Sequence, residues 1–397
     1  LGDVYKRQMS VTTPPAGGPY SLTFSDGELT VLNNILIGEL WICSGQSNME
    51  MPMKGYKNQP IEGADMDILR STNPSLRLFT VKRHSTLLPQ YDVTGTWNEA
   101  MPTTVREFSA TAYYFGRLLN ELLDVPVGLI VTAWGGSAAE AWMTEEMLRA
   151  FPEVRIPRTD ADITSPNRTP TTLYNGMLHP LIGITMRGVI WYQGEENASR
   201  AEQYAPLFRA LIADWRKQWK IDLPFYFVQL AGYMTPQEVQ PDSRWAVLRE
   251  AQAEALHIAN TGMITAVDLG DPYDIHPKNK QDVGKRLAAL SLADTYRKGT
   301  YHMPVCTGYK VYDRTLALAF DSPVQANAGE VKGFVLAGPD GVFYPAKATL
   351  QQNGKSVVLE SPQVEIPIAA RYNWADCPNG NLYSPSGVPV GPFRTDK

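Results

Sequence analysis

The sequence predicts an α/β fold, in which a parallel sheet carries helices on both faces and an all-β segment follows. The 397 residues are 44% hydrophobic and 19% charged, enough apolar material for one large domain or a core domain with a smaller one. Short apolar runs alternate with longer segments of helical period up to about residue 300, an order typical of a parallel sheet. Beyond about Tyr301 the pattern changes to short runs separated by turn signals.

Each predicted element has its own pattern. Compact apolar runs predict the strands Ile35–Cys43, Val125–Thr132, Gly188–Tyr192, Phe225–Leu230 and Met263–Val267. Longer segments with helical spacing predict the helices Phe108–Leu123, Tyr204–Trp219, Arg244–His257 and Lys278–Arg297. Near the carboxyl end, short alternating runs predict strands at Leu316–Phe320, Gly333–Leu336 and Ser356–Leu359, and P-D-G, N-G and S-P-S-G turn signals occur in the same segment.

Composition changes divide the chain into four predicted segments. Residues 1–8 precede a methionine and share no pattern with the rest, so we expect a translation or cloning scar. Residues 9–34 are expected to be the remnant of an N-terminal β domain, and 35–300 the α/β domain. Residues 301–397 are expected to form a β segment packed on that core.

Charge and motif content exclude several function classes. A net charge of −5 argues against a nucleic acid or anionic lipid as partner, and no apolar run approaches the ~18–20 residues of a membrane span. Cys43, Cys306 and Cys377 are far apart and odd in number, so no disulfide framework is predicted. The sequence has no H-E-x-x-H, paired C-x-x-C, P-loop or strand-linked G-x-G-x-x-G, which argues against zinc and nucleotide sites.

Polar blocks follow four of the predicted strands. They are S-G-Q-S-N-M at 44–49, W-G-G-S at 134–137, Q-G-E at 193–195 and D-L-G-D-P-Y-D-I-H-P at 268–277. Ligands of open parallel sheets bind beyond the carboxyl ends of the strands, so we expect these blocks to converge. A serine, a glycine pair, an amide and an acid followed by a histidine are the components of acyl transfer.

The chemistry of acyl transfer assigns a role to each component. Ser47 is the predicted nucleophile and His276 the base that takes its proton, with Asp274 orienting the imidazole. The backbone N–H groups of Ser47 and Gly136, with the Gln193 side chain, are predicted to form the oxyanion hole.

Each block alone also fits an ordinary structural role. The glycines suit tight turns, Glu195 suits the first turn of a helix, and His276 suits a loop. Their joint occurrence at strand ends favours catalysis.

The G-x-S-x-G elbow of α/β-hydrolases is missing, because Met49 stands where its second glycine belongs. A glycan-binding protein without turnover is the alternative from another class.

Four blocks resemble the sialate O-acetylesterase family of the SGNH hydrolases. They are G-E-L-W-I-C-S-G-Q-S-N-M-E-M-P at 38–52, L-I-V-T-A-W-G-G-S-A-A-E-A-W at 129–142, G-V-I-W-Y-Q-G-E-E-N-A at 188–198 and D-I-H-P-K-N-K-Q-D-V-G-K-R-L-A at 274–288. The resemblance extends over about residues 15–395. It implies a flavodoxin-like three-layer core and a serine esterase that removes acetyl groups from sugar hydroxyls without a metal or organic cofactor.

The resemblance also bears on the site residues. It places the nucleophile on Ser47, the base on His276 and oxyanion donors on Gly136 and Gln193, where this branch of the superfamily carries glutamine instead of the asparagine that gives the SGNH hydrolases their name. Many SGNH enzymes carry the acid three residues before the histidine, and that position is a tyrosine here. Asp274 therefore has Asp271 and Asp268 as rivals, and a Ser–His dyad is the remaining alternative.

An acetylated glycan is the expected substrate, and the sequence does not choose between O-acetyl sialic acid and acetylated xylan. The candidates for stacking on a sugar ring are Trp134, Trp142, Trp191, Tyr192 and Tyr273. The candidates for binding a sialate carboxylate are Arg371 and Arg187. The candidates for contacting substrate or supporting the site are Gln46, Glu195, Asn197 and Trp134. Because family members usually carry more β structure ahead of the first block, often behind a signal peptide, we expect a truncated N-terminus and a secreted or periplasmic protein.

Overall fold

A computed structural model describes residues 12–25 and 27–396, so the predicted scar at 1–8 lies outside the described residues. The strands are β1 Gly17–Ser25, β2 Leu29–Ile37, β3 Glu39–Gly45, β4 Asn73–Thr80, β5 Trp97–Ala100, β6 Val127–Ala133, β7 Gly188–Tyr192, β8 Phe225–Gln229, β9 Thr261–Thr265, β10 Cys306–Tyr312, β11 Thr315–Phe320, β12 Gln325–Ala326, β13 Phe334–Ala337, β14 Phe343–Pro345, β15 Lys347–Leu350, β16 Ser356–Glu360, β17 Ala369–Tyr372, β18 Leu382–Tyr383 and β19 Phe393–Arg394. The helices are α1 Ser47–Glu50, α2 Ala64–Leu69, α3 Pro102–Val105, α4 Ala110–Leu123, α5 Glu145–Leu148, α6 Tyr204–Trp219, α7 Arg244–Ala253 and α8 Lys280–Asp294. None of the described helices is long and apolar enough to cross a membrane.

A seven-stranded sheet in the order β5-β4-β6-β3-β7-β8-β9 forms the centre of the molecule and confirms the α/β prediction. All its neighbouring strands run parallel except β5, which is antiparallel to β4 at one edge. Sequence analysis missed β4 and β5. Only Leu76 and Leu78 of β4 are buried, so its apolar run is short, and β5 has four residues.

The predicted first strand, Ile35–Cys43, is two strands in the structure. The chain turns at Gly38, where a Cβ atom would lie 2.0 Å from the carbonyl oxygen of Pro126. Only glycine permits this approach, so β2 ends before it and β3 enters the central sheet after it.

Helices cover both faces of the central sheet. On one face Trp41 of β3 packs edge-to-face on Phe115 of α4, with 5.2 Å between ring centroids, and α4 packs against α8. On the other face Trp191 of β7 stacks on Phe208 of α6. These aromatic contacts fix the central strands, whose carboxyl ends carry the polar blocks.

The residues beyond 300 form antiparallel sheets, ordered β10-β11-β16-β15 and β14-β13-β17-β19, around a second apolar cluster. The fully buried Arg249 of α7 fastens this segment to the α/β core, since its guanidinium donates to the carbonyl oxygens of Leu230, Ala231, Ala375 and Asp376. The antiparallel pair β1-β2 precedes the central sheet.

Candidate active site

The carboxyl ends of β3, β6 and β7 meet at one edge of the sheet. Gly45, the last residue of β3, lies opposite Ala133 of β6 on one side and Tyr192 of β7 on the other. The chain proceeds from β3 to strands on both sides of it, so this edge is a topological switch point, where ligands of such sheets bind.

Ser47 is held in a tight turn directly after β3. Gly45 has φ +139°, and a Cβ atom there would lie 2.1 Å from the carbonyl oxygen of Tyr192. The Gln46 N–H donates to that oxygen at 3.0 Å, while the Gln46 side-chain oxygen accepts the N–H groups of Gly194 and Glu196, each at 3.3 Å. The predicted support residue Gln46 therefore joins the serine turn to the segment after β7.

A cleft of about 450 Å³ opens at this edge. Each of the four blocks contributes a lining residue, namely Ser47, Gly136, Glu195 and His276. Residues distant in the chain thus surround one space, as expected from the strand ends. No hydrogen bond joins the Ser47 hydroxyl to His276 among the described residues, and catalytic hydrogen bonds often tighten only when substrate binds.

His276 is placed to act as a base. Its Nδ1 lies 3.6 Å from Asp274 Oδ1, outside hydrogen-bond range, and has no hydrogen-bond partner in the part of the chain described. Asp274 Oδ1 accepts the backbone N–H of His276 and the Gln59 side-chain amide, each at 2.8 Å. Burial lowers the pKa of His276 and the Lys280 cation lowers it further, against the opposing effect of Asp274. The imidazole is therefore neutral at neutral pH, as a base must be.

The rival aspartates have other partners. Asp268 makes a two-pronged ion pair with Arg286, with distances of 2.7 and 2.6 Å. Asp271 accepts the backbone N–H two residues further on, at 2.9 Å. Within residues 12–25 and 27–396, Asp274 is the carboxylate in ion-pair range of His276.

The glycine turn after β6 lies against the serine. The Gly135 N–H donates to Glu50 Oε2 at 2.7 Å, and a Cβ atom at Gly135 would lie 3.4 Å from the Cβ of Ser47. Gly136 has φ +66°, a left-handed conformation that favours glycine. The backbone N–H groups of Ser47 and Gly136 make no hydrogen bond in the described structure, so both are free to bind an oxyanion.

Gln193 does not fit the predicted oxyanion role in this arrangement. Its side chain is fully buried, and its amide nitrogen donates to the Ser137 carbonyl at 3.0 Å and to Asn197 Oδ1 at 2.7 Å. Its side-chain oxygen accepts from the Tyr204 hydroxyl at 2.8 Å. Both amide hydrogens are used, so Gln193 joins two loops behind the cleft and has no donor left for an oxyanion.

The other proposed support residues separate into two groups. Glu195 lines the cleft, and burial raises its pKa. Asn197 is buried behind it, donating to Glu140 Oε2 at 3.0 Å. Trp134 is partly exposed, and the Arg83 guanidinium lies 5.4 Å from the centre of its ring.

The structure also sorts the candidates for sugar contacts. Trp142, Trp191 and Tyr192 are completely buried in the core, so they offer no face to a sugar. Trp134 and the 91% exposed Tyr273 remain available.

Neither arginine proposed for a sialate carboxylate lines the cleft, so these two predictions are wrong. Arg187 pairs with Glu39, which begins β3 at the opposite edge of the sheet. Arg371 pairs with Asp396 in the carboxyl-terminal segment. The fit of an arginine to a carboxylate, on which both were chosen, gives no information on where in the fold the side chain lies.

Sequence reasoning missed several residues around the cleft. Arg83 and Tyr56 line it, and Tyr56 packs edge-on against the His276 ring with 5.3 Å between ring centroids. Lys280 and Asn48 lie buried behind it. Asn48 and Lys280 belong to the blocks at 38–52 and 274–288, and this membership was the one feature of the sequence that could have indicated a place near the site.

Known proteins resemble this chain along most of its length. Residues 37–293 match the family model described as carbohydrate esterase, sialic acid-specific acetylesterase. The sialate O-acetylesterase of Homo sapiens is 28% identical, with 95% of this chain and 79% of that protein covered; the one of Rattus norvegicus is 29% identical, with 81% and 70% covered. The crystal structure of a carbohydrate acetylesterase from Xanthomonas citri superposes with a TM-score of 0.88 at 37% identity, covering 96% of this chain and 86% of that one. The chain therefore belongs to the sialic acid-specific acetylesterase family and is a carbohydrate acetylesterase.

Proposed function

We propose that the protein is a serine O-acetylesterase that hydrolyses acetyl esters on sugar hydroxyls through an acetyl-enzyme at Ser47. The observation that carries the proposal is the placement of Ser47 and His276 on one cleft, with the Asp274 carboxylate 3.6 Å from the imidazole. A serine hydroxyl needs an adjacent base to become nucleophilic, and a neutral buried imidazole is suited to that task.

The reaction proceeds in two steps. Ser47 Oγ attacks the acetyl carbonyl and its proton passes to His276, while the backbone N–H groups of Ser47 and Gly136 hold the oxyanion. The sugar hydroxyl then leaves with the proton from His276, and the acetyl group stays on Ser47. Water, deprotonated by His276, attacks this ester; acetate leaves, and the proton returns to Ser47 Oγ.

The names of the related proteins favour O-acetylated sialic acid as the substrate. Arg83 is then the side chain placed to meet the sialate carboxylate, since it lines the cleft and its side chain is 52% exposed. Arginine binds carboxylates through two parallel hydrogen bonds, so Arg83→Gln is expected to weaken turnover of sialosides selectively.

A second candidate is an esterase for neutral polysaccharide such as acetylated xylan. The charges of the cleft favour it: Glu50, Glu195 and Glu196 line the cleft, and Arg83 is already paired with Glu50 at 2.5 Å. This acidic lining disfavours a substrate anion.

The test measures acetate release from O-acetylated sialic acid, acetylated xylo-oligosaccharides and p-nitrophenyl acetate. Ser47→Ala is expected to lose at least about 10³-fold in kcat. Ser44→Ala is the matched control, because that hydroxyl belongs to the same block but donates to the Thr132 carbonyl at 2.6 Å. Near-normal turnover by Ser47→Ala contradicts the mechanism, and the ratio of kcat/KM on the two sugars identifies the substrate class.

A further inference from the structure

Lys280 is a buried cation directly behind the cleft. It begins α8 and has no exposed surface, and its Nζ donates to Asn48 Oδ1 at 2.5 Å. The Tyr192 ring centre lies 5.8 Å from the same nitrogen. Burying an ammonium group costs free energy unless opposite charge and hydrogen bonds compensate it, so we expect compensating groups around Lys280.

Asn48 connects this cation to both catalytic blocks. Its Nδ2 donates to Glu195 Oε1 at 2.6 Å and to the carbonyl oxygen of Ile275 at 3.0 Å. Because an ammonium only donates and a carboxylate accepts, the orientation of the amide is fixed by chemistry. Asn48 is the neighbour of Ser47 in the chain and Ile275 is the neighbour of His276, so the network joins the serine turn to the histidine loop.

The charges that face Lys280 come from each element packed around it. Glu195 follows β7 and Asp274 lies in the loop before α8; both raise the Lys280 pKa, but burial outweighs them and lowers it to about 7. His276, in the same loop, has its pKa lowered by Lys280. The imidazole therefore titrates in a pH range where Lys280 is mostly protonated.

We propose that Lys280 is a positioning residue for the esterase reaction: through Asn48 it holds the serine turn against the histidine loop, and its buried cation keeps His276 unprotonated. The proposal rests on the proposed function, in which His276 is the base. A lysine that only filled space would affect stability and leave the titration of His276 unchanged.

The test removes the charge while keeping a hydrogen-bond donor. Lys280→Gln alone would leave the Glu195 carboxylate buried without its cation, so the informative variant is Lys280→Gln/Glu195→Gln. The titration of His276 is followed by NMR in the full chain, with its signals among the five histidines identified from a His276→Ala variant. Lys285→Met is the matched control, because Lys285 lies on the same helix but is exposed, and its ammonium donates to Gln281 Oε1 at 3.0 Å.

The expected result is a higher titration midpoint for His276 in Lys280→Gln/Glu195→Gln, a matching upward shift of the acidic limb of kcat/KM, and no change in Lys285→Met. An unchanged His276 midpoint in the folded double variant overturns the proposal, even where the wild type is a Ser47-dependent esterase. If the double variant does not fold, NMR titrations of His276 and of the lysine side chains in the wild type decide. A Lys280 amine that is still charged where His276 titrates, together with a His276 midpoint below 6.5, supports the proposal; a Lys280 amine that is already neutral there, or a His276 midpoint above 6.5, overturns it. Loss of the Ser47 dependence itself, in contrast, refutes the proposed function.

Discussion

Polar atoms at the surface of the cleft differ from those behind it in how completely they are bonded. At the cleft, His276 Nδ1 has no hydrogen-bond partner in the described structure, and the N–H groups of Ser47 and Gly136 are free. Behind the cleft, Gln193 and Asn197 are buried, and their amide nitrogens donate to protein acceptors. A polar group with spare bonding capacity at a cleft is available to substrate, whereas a saturated one holds the shape of the site.

The greatest loss of activity is expected at His276, whose Nδ1 lacks a hydrogen-bond partner in the described structure. His276→Gln is expected to lose at least about 10³-fold in kcat while its melting temperature stays close to wild type, because Nδ1 gives up no hydrogen bond. Steady-state kinetics and thermal unfolding measure the two quantities. A variant that unfolds readily but retains kcat when folded contradicts the assignment of His276 to catalysis rather than to stability.

A smaller effect is expected at the carboxylate. Asp274→Asn is expected to lower kcat by about 10²-fold, since the imidazole loses the charge that orients it and stabilises its protonated form. Asp271→Asn in the same loop serves as the matched control and is expected to lose far less. The opposite order would assign the orienting role to Asp271, and equal small losses would favour a Ser–His dyad.

Substitution of the fully bonded Gln193 behind the cleft is expected to affect stability rather than chemistry. Gln193→Ala leaves the buried Ser137 carbonyl, Asn197 and Tyr204 hydroxyl short of partners, at a cost of about 1–3 kcal/mol in unfolding free energy. Denaturant unfolding measures this loss, and kcat of the folded variant is expected to change less than about tenfold, since a lost oxyanion donor costs ~10²–10³-fold. A kcat loss of that larger size without destabilisation would restore Gln193 as an oxyanion donor.

The smallest effect is a shift with pH. Burial holds the His276 pKa below its ordinary 6.5, so kcat/KM is expected to fall to half of its plateau value only below pH 6.5. The unfolded chain binds this proton more readily, so the neutral histidine's contribution to stability is present above 6.5 and lost as pH falls below it. A kcat/KM decline that is already half complete above pH 6.5 would contradict the lowered pKa.

Much of the fold was predictable because local pattern and final environment agree. The bounds of β7 and α6 match those predicted. All five residues of β7 are buried and apolar or glycine, and the buried residues of α6 recur with helical spacing, so each pattern indicates one type of element. The amphipathic strand β4 was missed because most of its residues are not buried. The break at Gly38 depends on the distant Pro126 carbonyl, which no local pattern records.

The site was predictable as a set of blocks but not as a network of bonds. Strand ends identified Ser47, Gly136 and His276, whose places follow from the topology of a parallel sheet. The saturation of the Gln193 amide depends on the positions of the Ser137 carbonyl, the Asn197 side chain and the Tyr204 hydroxyl, which no local pattern records. Lys280 was not predicted because lysine is almost never fully buried, so a lysine in a helical segment is expected on the exposed face of the helix.

The proposed mechanism requires that Ser47 carries the acetyl group during turnover. The most direct measurement quenches the enzyme with acid during the burst phase with p-nitrophenyl acetate and locates the acetyl group by peptide mass spectrometry. We predict an acetylated peptide containing Ser47 in the wild type, none in Ser47→Ala, and accumulation in a His276→Gln variant only if deacetylation slows more than acetylation. An acetyl group on another residue, or full turnover without one on Ser47, would contradict the proposed mechanism.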